Sequence, residues 1–361
     1  MTNGQCRLCC HVTRKMFALT PTPLANNFAP SPDTAAERFP VEVWACVSCG
    51  HCQIGYTAPV DWVDYRYATP HANQAHLDQA AHAIRERYPQ ARTAIEIGSN
   101  NGVYLDALAR VGLEVIGIDP CASRGIAKPF THQLARGLAP VDLIVANNVF
   151  AHVDDLWDVF RGIDHLLGDD GAVVFEVQYL PSMIAAGAFD MIYHEHRDYH
   201  TLAPWPLFLK RFGLVITEWT LLPTHGGSIR VYCERPGLAV ALLHDTEIDW
   251  RAFQRRIQAE KVRIRADVLA VKGPVVAFGA TAKACTLLHH FDLTTSLAYC
   301  VDDTPAKQGR YLPGTAIQIV PSTRLQEEPP AAMLLTAWNF EAQIRAAYPT
   351  IPCIVPFAKE R

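Results

Sequence analysis

Residues 92–120 read RTAIEIGSNNGVYLDALARVGLEVIGIDP. Thr93 to Ile97 is a short apolar run rich in β-formers, and Gly98 and Gly102 bracket a turn. Val103 to Arg110 has helical spacing, and Glu114 to Ile118 is a second apolar strand that stops at Asp119. Strand, glycine turn, helix and strand make the opening βαβ unit of a doubly wound parallel sheet, whose ligand crevice lies at the carboxyl ends of the strands. Gly98 lets a ligand approach the backbone closely. Asp119, 17 residues after Gly102, stands where a carboxylate can accept hydrogen bonds from both hydroxyls of a ribose. The spacing is not GxGxxG: only Ser99 separates Gly98 from two asparagines, so no tight pyrophosphate seat is evident.

The turn fits instead the ExGxxxG pattern of methyltransferases, with Glu96, Gly98, Ser99, Gly102 and Asp119 as candidate contacts to S-adenosylmethionine. An NAD site and a ligand-free Rossmann fold are the alternatives. Upstream lies a helical stretch, HANQAHLDQAAHAIRERY. Downstream, VDLIVANNVFAHV supplies a strand from Leu143 to Ala146 that runs into Asn147 and Asn148 at the crevice, two further candidate donor contacts. A helix is expected over Asp154 to Leu167, then a strand from Gly171 in GAVVFEVQYL; HGGSIRVYCE from His225 reads as a late edge strand. After an amphipathic helix near Trp250 to Val271 the α/β logic repeats, through PVVAFGA, TAKACTLLHHF, LAYCVDD, AAMLLTAWN and a closing helix. Gly279-Ala280-Thr281 at a strand-to-helix turn suits either a phosphate on a helix N-terminus, with Lys283 nearby, or a purely structural turn.

Six of the eleven cysteines fall within the first 52 residues. Cys6-x2-Cys9 and Cys46-x2-Cys49 form two CxxC knuckles, each offering two thiolates, which together complete the tetrahedron zinc prefers. Four thiolates leave no open position for chemistry, so a structural zinc is expected; Cys10 and Cys52 lie close enough in sequence to compete as ligands. The expected organisation is therefore α/β throughout its larger parts. A small zinc-binding domain (1–70) precedes a Rossmann-like class I methyltransferase domain (71–245), and a C-terminal α/β, Rossmann-like substrate-binding domain (246–361) follows.

Thirty-two Lys and Arg against thirty-six Asp and Glu give a net charge of −4, and no basic tract stands out, so nucleic acid is not an expected partner. The densest basic run, RRIQAEKVRIR from Arg255, reads as a solvated helix face. No stretch reaches the ~18 apolar residues of a spanning helix, and the first residues lack the apolar core of a signal peptide. A cytoplasmic protein acting on a small molecule, away from membranes, is the expectation, since clustered thiols persist in reducing compartments.

FDMIYHEHRDYHT places Tyr193, His194, Glu195, His196, Tyr199 and His200 within eight positions. A metal site, a satisfied structural network and a general base oriented by a carboxylate are all open readings. The i, i+2 histidines lack HExxH spacing, which favours the base. His152, alone, would more often be structural.

AIEIGSNNG, NNVFAHVDD, VFEVQYL, FDMIYHEHRDY, HGGSIRVY and KQGRYLPGT occur in this order behind the double CxxC. The chain thereby resembles, over nearly its whole length, the nucleotide-sugar C-methyltransferases that act on TDP- or other NDP-4-keto-deoxysugars. The resemblance implies His196 as base, assisted by Glu195 and Tyr193, with His152 as the upstream histidine, and substrate contacts at His225, Ser228 and Arg230. Charge and position add Lys283, Lys307 and Arg310. Gln178 departs from the family pattern, which usually has proline there. An O- or N-methyltransferase acting on a non-sugar molecule with the same scaffold is the alternative.

Overall fold

A computed structural model describes residues 4–60, 74–235, 245 and 247–357. The strands Thr93–Ile97 and Glu114–Ile118 and the helix Val103–Arg110 stand where the residue pattern predicts them. They open a six-stranded sheet in the order Glu114–Ile118, Thr93–Ile97, Val141–Asn147, Leu167–Gln178, Ser228–Glu234, Val215–Leu222. The first four strands run parallel, Ser228–Glu234 pairs antiparallel with the fourth, and Val215–Leu222 pairs antiparallel with Ser228–Glu234. Near-continuous apolar runs such as Leu143–Ala146 and Ala172–Phe175 are buried because helices cover both faces.

One face carries the helices Gln74–Arg87 and Val103–Arg110, which seat Leu77, Ile84 and Leu108. The other carries Leu156–Leu166, seating Phe160 and Ile163 beside Phe150, Phe175 and Trp205. That helix starts at Asp155, whose side chain accepts from the backbone N–H groups of Trp157 and Asp158, a cap that stabilises by about 1 kcal/mol.

Ser228–Glu234 is not an edge strand, contrary to the sequence expectation. It lies between Leu167–Gln178 and Val215–Leu222, and the latter forms the edge. Its polar residues suggest a solvent-facing strand, but in the sheet they are covered: Arg230 lies opposite Glu176 and pairs with it.

Ahead of this sheet, Thr13–Thr22 and Phe39–Cys46 form an antiparallel pair, followed by Cys52–Ile54. The fourth strand of that small sheet is Asp198–Tyr199, from the far end of the histidine-rich segment. The N-terminal sheet is thus closed by residues nearly 150 positions downstream, so it and the segment Tyr193–His200 cannot move independently.

The helix Trp250–Ala270 buries only Phe253, Ile257, Ile264 and Val268, leaving most of its charged residues at the surface. Behind it a second parallel sheet runs in the order Ile319–Val320, Cys300–Val301, Val275–Phe278, Ala332–Leu335, Cys353–Ile354. Its last strand has no counterpart in the sequence reading. Among the described residues no helix is long and apolar enough to cross a membrane.

Candidate active site

The sulfur atoms of Cys6, Cys9, Cys46 and Cys49 lie within 4.8 Å of one another. The separations Cys6–Cys49 (3.6 Å), Cys9–Cys46 (3.4 Å) and Cys9–Cys49 (3.4 Å) approach the ~3.8 Å edge of a tetrahedron built on Zn–S bonds of ~2.3 Å. The donor set fits a structural zinc. Cys52 is turned toward the Gly50 carbonyl and Cys10 is exposed, so neither joins the cluster.

At the carboxyl ends of the central strands, Gly98 has φ 78°, and a Cβ there would stand 2.2 Å from Val149 Cγ2. Only glycine leaves the crevice open. Gly102 begins the following helix in the left-handed conformation and shapes the turn from below, outside the cavity lining. Asp119 ties the two loops together: Oδ2 accepts from the N–H of Asn100 and Oδ1 from that of Cys121.

Glu96 Oε2, Ser99 Oγ and Asn147 Nδ2 are buried without a hydrogen-bond partner among the described residues, which marks polar atoms waiting for a ligand. Burial, and then the neighbouring Asp119, raises the Glu96 pKa well above its ordinary value. Two carboxyl groups at the glycine turn disfavour a pyrophosphate and suit a sulfonium donor whose ribose and amine supply hydrogens. Here the residues fit S-adenosylmethionine, which Gly98, Asp119, Asn147 and Asn148 would hold.

The same cavity, about 710 Å³, continues past His152, Tyr193 and His196 to a second crevice. His196 Nδ1 lies 2.8 Å from the Met191 carbonyl, and its Nε2 lies 2.8 Å from Tyr193 Oη. A carbonyl can only accept, so Nδ1 carries the proton and the neutral ring accepts from the phenol at Nε2. The two rings stack with centroids 4.0 Å apart. His152 is oriented in the same manner, its Nδ1 donating to the Glu195 carbonyl at 2.8 Å; its ring centroid lies 4.7 Å from that of His196. Burial lowers the His152 pKa to about 4, so this ring is neutral near pH 7.

Glu195 takes a different place from the one read in the sequence. Its side chain does not orient His196; Oε1 accepts from the backbone and side-chain nitrogens of Asn26, while its main-chain carbonyl holds His152. A helical or extended reading of YHEH cannot anticipate this, because the segment makes tight turns and Asn26 arrives from the other end of the chain. His194 is buried against Phe39, away from the cavity.

The second crevice repeats the first. Gly279 (φ 105°) closes the Val275–Phe278 strand, and a Cβ there would meet Ala337 Cβ at 2.5 Å. Thr281 caps the helix Ala282–His290. Asp302, at the end of the next strand, accepts from the Ala280 N–H (2.9 Å) and from Lys307 Nζ (3.1 Å). Lys283 donates to Asn339 and lies 4.4 Å from the centre of the Trp338 ring. Burial lowers its pKa to about 8, against the pull of Asp190, and burial raises Asp190 to about 6, against Lys283.

Three expected acceptor contacts lie outside the lining. Ser228 donates to the Thr224 carbonyl, Arg230 is turned onto Glu176, and Arg310 donates to the Phe28 carbonyl. The His225 side chain is outside the described residues. Conversely, Asn26, His76, Glu176 and Asn339 line the cavity without having been singled out. His76 and Arg230 together hold Glu176 below the usual carboxylate range, although burial opposes them. No local spacing marks these residues. Gln178, at the departure from the family pattern, also faces the cavity, with Nε2 unpartnered among the described residues.

Three family models match in tandem: a zinc binding domain over residues 6–62, a methyltransferase domain over 67–218, and a C-methyltransferase C-terminal domain over 223–351. With the donor crevice and the thiol cluster they define the class: the chain is an S-adenosylmethionine-dependent methyltransferase with an N-terminal zinc-binding segment. Within that class it is similar to the C-methyltransferase NovU of Streptomyces niveus, with 28% identity covering 94% of this chain and 91% of the relative. Solved structures overlap about half of it. The mitomycin 7-O-methyltransferase MmcR is 16% identical over 45% of this chain and 54% of its own, with a TM-score of 0.37. The magnesium protoporphyrin IX methyltransferase ChlM of Synechocystis PCC 6803, with bound SAH, is 17% identical over 50% and 90%, with a TM-score of 0.35.

Proposed function

We propose that the protein methylates a carbon next to the ketone of a nucleotide-linked 4-keto-deoxysugar, with the three-part division at 1–70, 71–245 and 246–361. One observation carries the reading. Two histidines, each oriented by a backbone carbonyl, stand in a single cavity between the donor crevice and a second crevice that carries Lys283 and Lys307. A C–H bond beside a carbonyl needs a positioned base to remove its proton.

When bound, S-adenosylmethionine supplies an electrophilic methyl group. The chain's task is to make carbon nucleophilic and to hold it in line. His196 is the base. Without substrate Tyr193 donates to His196 Nε2. A substrate ketone beside the phenol would take that hydrogen bond instead, which frees the Nε2 lone pair for the substrate proton. Nε2–H then donates to the phenol oxygen while the phenol hydrogen bonds the growing enolate oxygen. His152 suits this second task less well, because its Nδ1–H is committed to the Glu195 carbonyl and its neutral Nε2 has no hydrogen to give. Lys283 and Lys307 face the anionic end of the acceptor.

The test is mass spectrometry of a panel of nucleotide 4-keto-deoxysugars incubated with S-adenosylmethionine in deuterated buffer. Methylation of a sugar, with His196-dependent deuterium wash-in to unreacted substrate, is expected. Donor binding with neither methylation nor exchange would overturn the sugar reading and point to a non-sugar acceptor.

A further inference from the structure

Arg7 lies between the first two zinc-binding cysteines, yet its side chain leaves the knuckle and is almost fully buried. Nε donates to both carboxylate oxygens of Asp198, at 2.9 and 3.1 Å. Nη2 donates to the Val153 carbonyl at 2.7 Å and Nη1 to the Asp154 carbonyl at 3.2 Å. The backbone of Arg7 is pinned as well: its N–H donates to Gln53 Oε1 and its carbonyl accepts from Trp157 Nε1. Asp198 also receives His51 Nε2 at 2.8 Å, from just beyond the second knuckle.

Val153 follows His152 directly, and Asp198 is two residues beyond His196. One guanidinium therefore grips both histidine-bearing segments within two residues of each ring. A second clasp runs alongside, where Arg197 donates from its backbone to the Ala151 carbonyl and pairs with Asp154. Neither arginine lies in the cavity lining.

We infer that Arg7 is a positioning residue that sets the distance and angle between His152 and His196, and that the zinc knuckle is the rigid mount from which it does so. This rests on the role proposed for His196, with His152 as the ring packed beside it. The planar fork of arginine suits the task, since it reaches a carboxylate and two carbonyls at once, whereas a lysine ammonium matches the charge but not the geometry. A catalytic geometry displaced by about 1 Å can lose about a hundredfold in rate, and groups that orient the reacting shell carry effects of roughly ten- to a hundredfold.

The test is Arg7→Lys in the full-length, zinc-loaded protein, with four readouts: zinc content, donor affinity by calorimetry, kcat and KM separately, and the imidazole Cε1–Hε1 NMR signals of His152 and His196. Zinc content and donor affinity are expected to hold. The two histidine signals should shift, and kcat should fall roughly ten- to a hundredfold with KM changed far less. Unmoved signals, or shifted signals with kcat intact, would overturn the inference and leave Arg7 a structural tie. If Arg7→Lys loses zinc or fails to fold, Trp157→Phe, which removes the donor to the Arg7 carbonyl and keeps an aromatic ring against Phe208 and Phe212, carries the same expectation in a milder form and is overturned by the same outcomes. Should His196→Gln retain activity, the proposed chemistry fails; the NMR shifts in Arg7→Lys still report whether the clamp exists.

Discussion

The two crevices that meet in the central cavity share a plan and differ in that the second adds lysine amines. Each has a glycine in the left-handed region at a strand end, a helix behind it and an aspartate at the end of the neighbouring strand: Gly98 with Asp119, Gly279 with Asp302. Around the first stand the carboxyl groups of Glu96, Asp119 and Glu176, the last paired with Arg230 and His76; around the second, the amines of Lys283 and Lys307 stand beside the carboxyl groups of Asp302 and Asp303. A fold-level motif thus settles where a ligand sits, while the side chains beside it settle which sign of charge is welcome. On the proposed function, the cationic donor would lie on the first side and the anionic acceptor on the second, with the histidines between them.

The largest break in this comparison falls at its centre. His196→Gln should cut kcat and substrate C–H exchange by roughly 10²–10⁴-fold, the range of a general base, while leaving donor affinity nearly unchanged by calorimetry. Next, Gly98→Ala places a methyl group into Val149 at a positive φ. The strain and overpacking of about 2–4 kcal/mol should weaken donor binding roughly ten- to a hundredfold without altering acceptor KM at saturating donor. The mirror substitution, Lys307→Met, should do the reverse: acceptor KM rises about tenfold, by the loss of a charged hydrogen bond, and donor affinity stays.

The smallest effects are those of pH. Because burial holds Lys283 at about 8, acceptor KM should drift upward as pH rises above that value, and Lys283→Arg should flatten the drift. His152, His194 and His290 are held near 4 by burial. Their folded values lie below the unfolded 6.5, so the unfolded chain binds more protons between those limits. Stability should therefore fall as pH drops from about 6.5 toward 4, which thermal denaturation across that range would measure.

The first crevice was legible because its parts are neighbours in sequence. Glu96, Gly98 and Asp119 fall within 24 residues, and the alternation of strand, turn and helix periods places them on one crevice without further information. The four zinc ligands were legible for the same reason: CxxC is a local geometry, and two such knuckles specify the tetrahedron. The second crevice was legible only in its residue types. Lys283 and Lys307 do line the cavity, but Arg310, equally plausible by charge, is consumed by the Phe28 carbonyl, and Arg230, expected from the resemblance, by Glu176. Charge alone does not say which partner a guanidinium will find.

By itself, then, the sequence determined the doubly wound scaffold, the metal-binding thiols and the histidine-rich segment, since each depends on spacings of a few residues that backbone geometry translates directly into shape. Tertiary structure alone decided that Glu195 serves His152 through its carbonyl, that Asn26 lines the cavity, that Tyr193 bonds to His196, and that Arg7 joins the thiol cluster to both histidines. Apart from the Tyr193–His196 contact, which turns on how a tight loop folds, these pairings span roughly 40 to 190 positions. Which side chains meet over such distances depends on how whole layers pack, and no local period encodes that.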